Sequence, residues 1–509
     1  MKFKPIITSL LETDLYKFSM GQAIYHQFPS YKTTWTFKCR NKDVVFTSEM
    51  VEEIKEQIKH YCTLTFTEDE LDYLNNIKWF KGSYVDFLRL WRPRYEDFEI
   101  TTDADCGLSI ETRGTWLNTS MYEIPTLAIV NEVYFRMAYN YDELLASFEE
   151  KLNEKYDKLI NNRWYVSVFS EFGLRRRLSA EAQEMAVKKF SHLNDTMHSA
   201  STFIGTSNVY LAKKYNLTPV GTMAHEWIMC TGQGNHKHNP SYSNFYALDA
   251  WVREYGVLNG IALTDTITTD CFLKDFDLTF ATLFNGVRHD SGDPIEWGEK
   301  MIKHYESLGI DPNTKTLLFS DSLDFERADK IFRHFRKKAK VAFGIGTYIA
   351  NDTCVPALNI VMKTTLCNGQ DVAKISDVEG KGMCKNDEYV DYLKRSIKWR
   401  MEHERQMSMK FKNVFTNEVM EINRITKILT LLSVRSGDYF KGLSHDNFYF
   451  KDEDGVEWMY ACPMSSDECR YNTKLGEELA FEEGKTFKIS GYFIPSDINE
   501  IYRPRLIKN

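Results

Sequence analysis

The fold is decided by a stretch that begins with Thr316-Leu-Leu-Phe-Ser-Asp-Ser322 and ends with Lys340-Val-Ala-Phe-Gly-Ile-Gly-Thr347. Each part opens with an apolar run rich in residues that favour strands and closes with small or polar residues. Between them, residues 323–335 carry Ala328, Ile331 and Phe332 at helical spacing. Because a helix of this length can return the chain to the same edge, the stretch predicts two parallel strands joined by a helix.

The same alternation extends back along the chain to about residue 164. Residues 179–192 form a second predicted helix, opened by Ser-Ala-Glu-Ala. Five further runs are predicted strands: Trp164–Phe169, Ser201–Ile204, Pro219–Thr222, Asn259–Leu263 and Thr282–Phe284. Strands and helices in this order predict a parallel sheet, most simply an irregular α/β barrel. An open, doubly wound sheet is the alternative.

The ends of the chain do not share this alternation. We therefore expect three parts: a mixed α+β N-terminal domain over residues 1–130, the barrel over residues 131–385, and a C-terminal extension over residues 386–509. The sequence assigns no role to the extension. The expected fold class is thus α/β, with an irregular barrel at its centre.

The composition narrows the class of protein. A net charge of -8 and a pI near 5.9 argue against a general nucleic-acid binder, which needs clustered Lys and Arg. No apolar stretch approaches the length of a membrane span, and Glu12 and Asp14 interrupt the region where a signal peptide needs an apolar core. We expect a cytoplasmic protein that binds neither membrane nor nucleic acid.

Polar and small residues follow each predicted strand. In an α/β barrel these positions meet at the carboxyl-terminal rim, where active sites are built. The segments that follow the seven strands are Ser170–Arg177, Gly205–Asn208, Met223–Glu226, Thr264–Thr266, Gly286–Asp293, Ser320–Ser322 and Gly344–Thr347. Seven such segments in a row predict one site.

Single motifs within this set have plainer alternatives. Gly344-Ile-Gly-Thr347 is either a strand-to-helix turn or a phosphate-binding loop. At most two of the adjacent Arg175, Arg176 and Arg177 can point into the rim, and the rest would be solvated. His236 and His238 have a spacing that can chelate metal, but no third ligand lies near them in the sequence.

His225 is either a satisfied core histidine or a base or phosphate-accepting nucleophile. Glu226 lies beside it in the sequence, and Asp265 is expected across the rim. Either carboxylate can fix the tautomer of the imidazole ring, as a reactive histidine requires.

The order of several motifs resembles the nicotinate phosphoribosyltransferases, which are type II phosphoribosyltransferases. The shared motifs are Thr13-Asp-Leu-Tyr-Lys-Phe-Ser-Met20, Phe172-Gly-Leu-Arg175, Gly205-Thr-Ser207, Gly221-Thr-Met-Ala-His-Glu226, Arg288-His-Asp-Ser-Gly-Asp293, Phe343-Gly-Ile-Gly-Thr347 and Val372-Ala-Lys-Ile-Ser376. The resemblance covers about the first three quarters of the chain. It implies formation of nicotinate mononucleotide and pyrophosphate from nicotinate and phosphoribosyl pyrophosphate (PRPP).

The resemblance also implies residue roles. Phe172 and Arg288 would sandwich the pyridine ring, and Thr222 and Ser207 would contact nicotinate. Tyr16 would reach the pocket from a second protomer of a homodimer with shared active sites. The residues that would bind phosphoribose or phosphate are Arg175, Asp290, Asp321, Gly344, Gly346 and Thr347.

By the same resemblance, ATP would phosphorylate His225, and Asp265 would orient it. Mg²⁺ would accompany the pyrophosphate, although the sequence does not identify its ligands. Nicotinamide phosphoribosyltransferase is the close rival. By the resemblance, that enzyme has an aspartate at the position of Ser207. A carboxylate there would accept from an amide and repel nicotinate, whereas a serine can donate to it. A non-catalytic sugar-phosphate-binding barrel is the other alternative.

Overall fold

The computed structural model describes residues 3–104, 106–196, 199–377 and 384–414, together with five later strands between residues 425 and 506. The chain divides into two compact units, residues 1–400 and 401–509. Within the described residues, no helix is long and apolar enough to cross a membrane. The three-part division expected from the sequence stays a prediction.

The first part of unit 1 is mostly helical around a small sheet. Its elements are α1 (Leu15–Gln27), β1 (Lys32–Cys39), α2 (Ser48–Tyr61), α3 (Glu68–Asn75), α4 (Gly82–Leu90), β2 (Phe98–Thr101), β3 (Ser109–Thr115), α5 (Trp116–Ala138) and α6 (Tyr141–Ile160). Helix α5 begins where the Thr115 hydroxyl accepts from the Asn118 amide, and nearly all of its residues are buried. This helix is therefore the central support of the region.

The middle of unit 1 alternates strands and helices as predicted. Its elements are β4 (Val168–Glu171), α7 (Ala180–Ser191), β5 (Thr202–Thr206), α8 (Val209–Lys214), β6 (Thr218–Pro219), α9 (His225–Gln233), α10 (Ser243–Tyr255), β7 (Ile261–Leu263), α11 (Thr269–Asp275), α12 (Leu278–Leu283), β8 (Gly286–His289), α13 (Pro294–Ser307), β9 (Thr316–Phe319), α14 (Phe325–Phe335), β10 (Lys340–Ile345) and α15 (Thr347–Ala350). The stretch quoted first is thus a strand–helix–strand unit, and β9 and β10 pair in parallel.

The seven strands β4–β10 form one parallel sheet in the order β6-β5-β4-β10-β9-β8-β7. Its two end strands are linked through a side chain, because the Thr222 hydroxyl, three residues after β6, donates to the Ile261 carbonyl of β7 at 2.8 Å. Phe169, Phe203 and Phe319 project from the strands into a buried aromatic core. The irregular α/β barrel is confirmed, and its sheet is curled rather than doubly wound.

One predicted strand is wrong. Thr282 and Leu283 end helix α12, and Phe284 caps it; the helix begins where the Asp277 carboxylate accepts from the Phe280 amide. The strand starts only at Gly286, where a Cβ atom would lie 2.1 Å from the Thr316 carbonyl oxygen. A glycine is needed for that close approach of β8 to β9, and its position marks the true strand.

A second sheet joins two distant parts of unit 1. Its antiparallel strands lie in the order β12-β11-β1-β3-β2, with β11 (Ile360–Cys367) and β12 (Gln370–Asp371) coming after the barrel. Strand β1 pairs with β11 over most of its length. Residues 360–371 therefore belong to the sheet of the N-terminal region, although the sequence placed them within the barrel segment.

The last helix, α16 (Asp387–Val414), starts in unit 1 and crosses the division between the units. In its first half Leu393 is buried, and Arg400 pairs with the Asp275 carboxylate at 2.6 Å. The first residues of the expected extension are therefore packed into unit 1.

Unit 2 contains a five-stranded closed barrel. Its strands are β13 (Ile425–Ser436), β14 (His445–Asp452), β15 (Glu457–Pro463), β16 (Thr486–Ile494) and β17 (Glu500–Leu506), in the order β13-β14-β15-β17-β16. Among the described strand pairs of this barrel, only β15 and β17 run parallel.

Candidate active site

Two cavities lie at the carboxyl ends of the parallel strands. The inner cavity encloses about 950 Å³ and the outer cavity about 1840 Å³. The residues that line both are Arg175, Arg176, Asp290, Ser320, Gly346 and Lys363. These residues form a shared wall, so the rim segments converge at one place as the sequence predicted.

The inner cavity is lined by aromatic, cationic and acidic side chains. Phe172 follows β4, Arg288 lies on β8 and Tyr16 lies on α1 of the same chain. Tyr16 of this chain thus lines its own cavity, and the contribution of Tyr16 from a second protomer stays a prediction. An aromatic face and a guanidinium group in one cavity suit a flat, anionic ring.

Gly344 makes room for the Phe172 ring. A Cβ atom at position 344 would lie 2.3 Å from two atoms of that ring, so any larger residue would displace it. Gly344 is buried and lines neither cavity, and its expected phosphate contact stays a prediction. Gly346 lines both cavities and Thr347 lines the outer one, as expected for the end of β10.

His225 is the first residue of α9 and is buried against the shared wall. Its Nδ1 atom lies 3.0 Å from the Thr266 hydroxyl, and its Nε2 atom lies 2.9 Å from Asp290 and 2.8 Å from the Lys374 ammonium. Burial and the adjacent Lys374 lower the pKa of His225 to about 4. The imidazole is therefore neutral near pH 7 and can act as a nucleophile.

Asp265 lies closer to Lys374 than to His225. The Asp265 carboxylate is 3.0 Å from the Lys374 ammonium and accepts from the Ser291 hydroxyl at 2.6 Å, but it is 3.7 Å from His225 Nε2. Asp290 and Thr266 make the direct contacts to the imidazole that the sequence assigned to Asp265 or Glu226. The sequence pattern indicated that Asp290 lies at the rim, because Asp290 follows β8 directly.

Glu226 belongs to a different cluster. Its carboxylate pairs with the buried Lys17 and accepts from Ser120 and from Trp116 Nε1 at 3.3 Å. Lys17 also pairs with Glu123 at 2.7 Å. Although Glu226 lines the inner cavity, its side chain neutralises Lys17 there rather than orienting His225.

Asp290 links the residues around the shared wall. One carboxylate oxygen lies 3.2 Å from Arg288 and 3.2 Å from the Ser320 hydroxyl, and the other contacts His225. Although burial opposes ionisation, Arg288 and His225 hold the pKa of Asp290 well below its usual range. Asp290 is therefore a fixed negative charge beside a histidine and an arginine.

Two of the three adjacent arginines lie at the rim, as the sequence predicted, but the third is not exposed to solvent. Arg175 and Arg176 line both cavities, and Arg175 lies 3.6 Å from Glu123. Arg177 points away from the rim, but it is buried and pairs with Glu12 at 3.0 Å instead of being solvated. The expectation of a solvated arginine is wrong because the Glu12 carboxylate compensates the buried charge.

Thr222 and Ser207 are both hydrogen bonded within the protein. Thr222 donates to Ile261 and does not line the inner cavity. The Ser207 hydroxyl donates to the Asp14 carboxylate at 2.6 Å, and both residues line that cavity. Burial raises the pKa of Asp14. Asp14 was not expected from the sequence, although it lies in the first shared motif.

The outer cavity is polar and contains Asp321. This carboxylate accepts from the Ser322 hydroxyl at 3.0 Å. Arg40, Asp324 and Asp352 also line the cavity. Positive and negative groups on one wall suit a phosphorylated ligand that carries a cation.

Two lysines at the site were not predicted from the sequence. Lys374 lies in the last shared motif, where the resemblance gives it no role. Lys363 lies on β11 and reaches both cavities, and burial with Lys374 nearby lowers its pKa to about 7. Nothing in the sequence around Lys363 indicated the site, because β11 belongs to the antiparallel sheet.

One group among the described residues has the geometry of a metal site. The ligand atoms of His225, Asp265 and Asp290 lie within 4.8 Å of one another. However, Lys374 already supplies a positive charge to all three, so a resident divalent cation does not fit there. His238 stacks on Tyr246 at 3.7 Å and bonds to the Thr231 carbonyl, so it is held by protein groups rather than poised with His236 for a metal.

Comparison with known proteins identifies the family of the chain. Residues 11–131 match the N-terminal domain of the nicotinate phosphoribosyltransferase (NAPRTase) family, and residues 167–400 match the model of that family. The chain belongs to the nicotinate phosphoribosyltransferase family. This confirms the resemblance inferred from the motifs, and residues 401–509 lie beyond the matched ranges.

Individual members of the family are similar to this chain over nearly their whole length. Nicotinate phosphoribosyltransferase from Ralstonia nicotianae is 44% identical over 393 residues, which are 77% of this chain and 98% of the relative. The crystal structure of the enzyme from Porphyromonas gingivalis has a TM-score of 0.70 and 34% identity, and it covers 77% of this chain and 100% of its own. That from Vibrio cholerae has a TM-score of 0.71 and 34% identity, covering 79% of this chain and 98% of its own.

Proposed function

We propose that this chain transfers the phosphoribosyl group of PRPP to nicotinate, with the pyridine ring in the inner cavity and the phosphates in the outer one. The observation that carries the proposal is that Phe172 and Arg288 line one cavity, which shares Arg175 and Asp290 with a second, larger and polar cavity. The nicotinate nitrogen forms a bond to ribose C1, and the bond from C1 to pyrophosphate breaks. The products are nicotinate mononucleotide and pyrophosphate.

The reaction needs positioning and fixed charge more than a base. Nicotinate supplies its own nucleophile, the ring nitrogen, and carries no proton that must be removed. Orientation of the two substrates can lower the barrier by about 7 kcal/mol or more. Arg175 and Arg176 on the shared wall would stabilise the charge of the leaving pyrophosphate, while Asp290 faces the ribose as it becomes cationic.

We also propose that ATP phosphorylates His225. The Nε2 atom would form a bond to the γ-phosphorus while the bond to the leaving ADP breaks. The neutral imidazole supports this role, and the Lys374 ammonium at 2.8 Å from Nε2 would compensate the added phosphoryl charge. Hydrolysis of the phosphohistidine would couple ATP cleavage to turnover.

Further parts of the proposal rest on the resemblance. Mg²⁺ would enter with the pyrophosphate of the substrate, held by Asp321 and its neighbours in the outer cavity, and would neutralise phosphate charge there. The chain would act as a homodimer in the cytoplasm, without membrane or nucleic acid. Sedimentation of the purified protein at several concentrations tests the dimer, and a monomer throughout would contradict it.

The choice of acceptor is tested by comparing nicotinate with nicotinamide as substrate. We expect kcat/KM to be higher for nicotinate, and a Ser207→Asp variant to shift the preference toward the amide. The physical reason is that a second carboxylate beside Asp14 would repel the nicotinate anion and accept from an amide. Equal turnover of both acceptors by the unaltered protein, or no shift in the variant, would contradict the assignment.

Nicotinamide remains the second candidate because Asp14 already offers a hydrogen-bond acceptor to the inner cavity. A Ser207→Thr variant is the matched control, since it keeps the hydroxyl group. It should retain the preference for nicotinate.

The phosphohistidine is tested by intact-protein mass measurement after incubation with labelled ATP, followed by mapping of acid-labile phosphate. We expect one phosphate on His225. A His225→Ala variant should lose the stimulation of transfer by ATP while a slower, ATP-independent transfer remains. The control is His238→Ala, which alters a histidine outside both cavities and should keep the stimulation. Full stimulation in the His225→Ala variant would refute the role.

A further inference from the structure

Asp14 and Ser207 form a buried pair at the wall of the inner cavity. Asp14 is 4% exposed and Ser207 is 3% exposed, and both line the cavity. Asp14 is the residue before helix α1, yet its side chain makes no capping bond to the helix. Its carboxylate accepts instead from the Ser207 hydroxyl at 2.6 Å.

The backbone holds this pair in register. The Leu15 amide donates to the Ser207 carbonyl at 2.9 Å, and Asp14 forms an isolated bridge with Asn208. These backbone contacts keep the two side chains within hydrogen-bonding reach of each other.

A hydroxyl group carries a single hydrogen, and this sets what Ser207 can offer a ligand. When Asp14 is ionised, that hydrogen is directed at Asp14, and only oxygen lone pairs face the cavity. An anionic ring carboxylate would then meet two acceptors and no donor. When Asp14 is protonated, its own O–H donates to Ser207 Oγ, and the serine hydrogen becomes available to the ligand.

We propose that Asp14 is a specificity residue that takes up one proton when a pyridine carboxylate binds, so that Ser207 can donate to that carboxylate. The inference rests on the proposed function, because it takes nicotinate as the ligand of the inner cavity. The proton comes from solvent, resides on Asp14 while the ligand is bound, and returns to solvent when the ligand leaves. Asp14 acts through Ser207 and is not a catalytic residue.

The charges around Asp14 favour this exchange. Burial raises its pKa, and the nearby Glu123 on α5 acts in the same direction. Arg175 after β4 and Lys17 on α1 oppose it. Tyr16 on α1 and Glu171 on β4 are the other titratable groups that interact with Asp14. A ligand carboxylate adds one more negative charge and raises the pKa of Asp14 further.

Proton uptake is measured by calorimetric titration with nicotinate in two buffers of different ionisation enthalpy at the same pH. We expect uptake that approaches one proton per site at pH values where free Asp14 is ionised. The KM for nicotinate should rise with pH by up to about tenfold per pH unit in the same range. A binding enthalpy that is the same in both buffers, together with a KM independent of pH, would overturn the proposal.

The decisive variant is Asp14→Asn. An amide NH₂ donates to Ser207 at every pH, so proton uptake should vanish and the KM for nicotinate should lose its pH dependence. The matched control is Glu171→Gln. Glu171 is a buried carboxyl group that lines neither cavity, and burial raises its pKa to about 7.

Uptake that persists in Asp14→Asn, or disappears in Glu171→Gln, would place the proton elsewhere and refute the inference. If Asp14→Asn does not fold, Asp14→Ala answers the same question. It removes the group that would take up the proton, so the uptake should be lost; retained uptake overturns the proposal. Absence of nicotinate turnover at every pH would instead contradict the proposed function, which separates the two failures.

Discussion

The inner and outer cavities share one wall but differ in how their charges are held. In the inner cavity the ionisable side chains are paired: Asp290 with Arg288, and Asp14 with Ser207. The outer cavity is about twice as large, and it is lined by aspartates after β9 and β10 and by arginines that follow β1 and β4. The difference indicates that the inner cavity fixes the position of a small ring, while the outer one accommodates a larger, charged ligand.

A substitution in the shared wall should have the largest effect. Asp290 contacts His225, Arg288 and Ser320, so Asp290→Ala would release a residue of each cavity. We expect kcat/KM to fall on the order of 100-fold whether nicotinate or PRPP is varied, as is usual when reacting groups are misplaced by about an ångström. Steady-state kinetics with each substrate varied provides the measurement. A loss of kcat/KM for only one substrate would show that the shared wall does not act on both nicotinate and PRPP.

A substitution behind the inner cavity should affect one substrate. In Gly344→Ala the new methyl group would overlap the Phe172 ring and displace it. Overpacking of this kind costs about 1–3 kcal/mol, so we expect the KM for nicotinate to rise about tenfold while that for PRPP changes little. The control is Gly82→Ala, where no atom lies within 4 Å of the new Cβ. Equal effects on both substrates would mean that the Phe172 ring does not act on nicotinate alone.

A substitution in the outer cavity should have the smallest effect. Asp321→Asn removes a partly exposed charge, and such charges contribute less than about 1 kcal/mol. We expect the KM for PRPP to rise about threefold and the KM for nicotinate to stay the same. Glu326→Gln on α14 removes an exposed charge outside the cavity and serves as the control. An effect of Asp321→Asn on nicotinate alone would reverse the assignment of the two cavities.

Much of the site was predictable because the parallel strands end at one rim. Phe172, Ser207, Arg288, Asp290 and Gly346 all follow or end a strand, and all line the inner cavity. Two expected ligand contacts stay predictions, because neither Thr222 nor Gly344 lines the inner cavity. Thr222 bonds across the sheet, and Gly344 lies under an aromatic ring.

The groups that could not be predicted come from outside the barrel pattern. Lys363 lies on β11, which pairs with β1 from more than 300 residues earlier in the chain. Glu123 lies on α5, whose apolar sequence indicates a buried helix but no site. Spacing along the chain carries no information about such contacts, because they depend on how the antiparallel sheet and α5 pack against the rim.

The sequence by itself determined the alternation of strands and helices, the rim at which polar residues gather, and the family. These properties follow from local periodicity and from the order of short motifs, both of which can be observed in the sequence alone. Only the tertiary structure decided that Asp290 and Thr266 hold His225, that Lys374 lies among the carboxylates, and that Asp14 takes the Ser207 hydrogen. Such pairings are set by distances of about 3 Å between segments far apart in sequence, and only the packed fold fixes them.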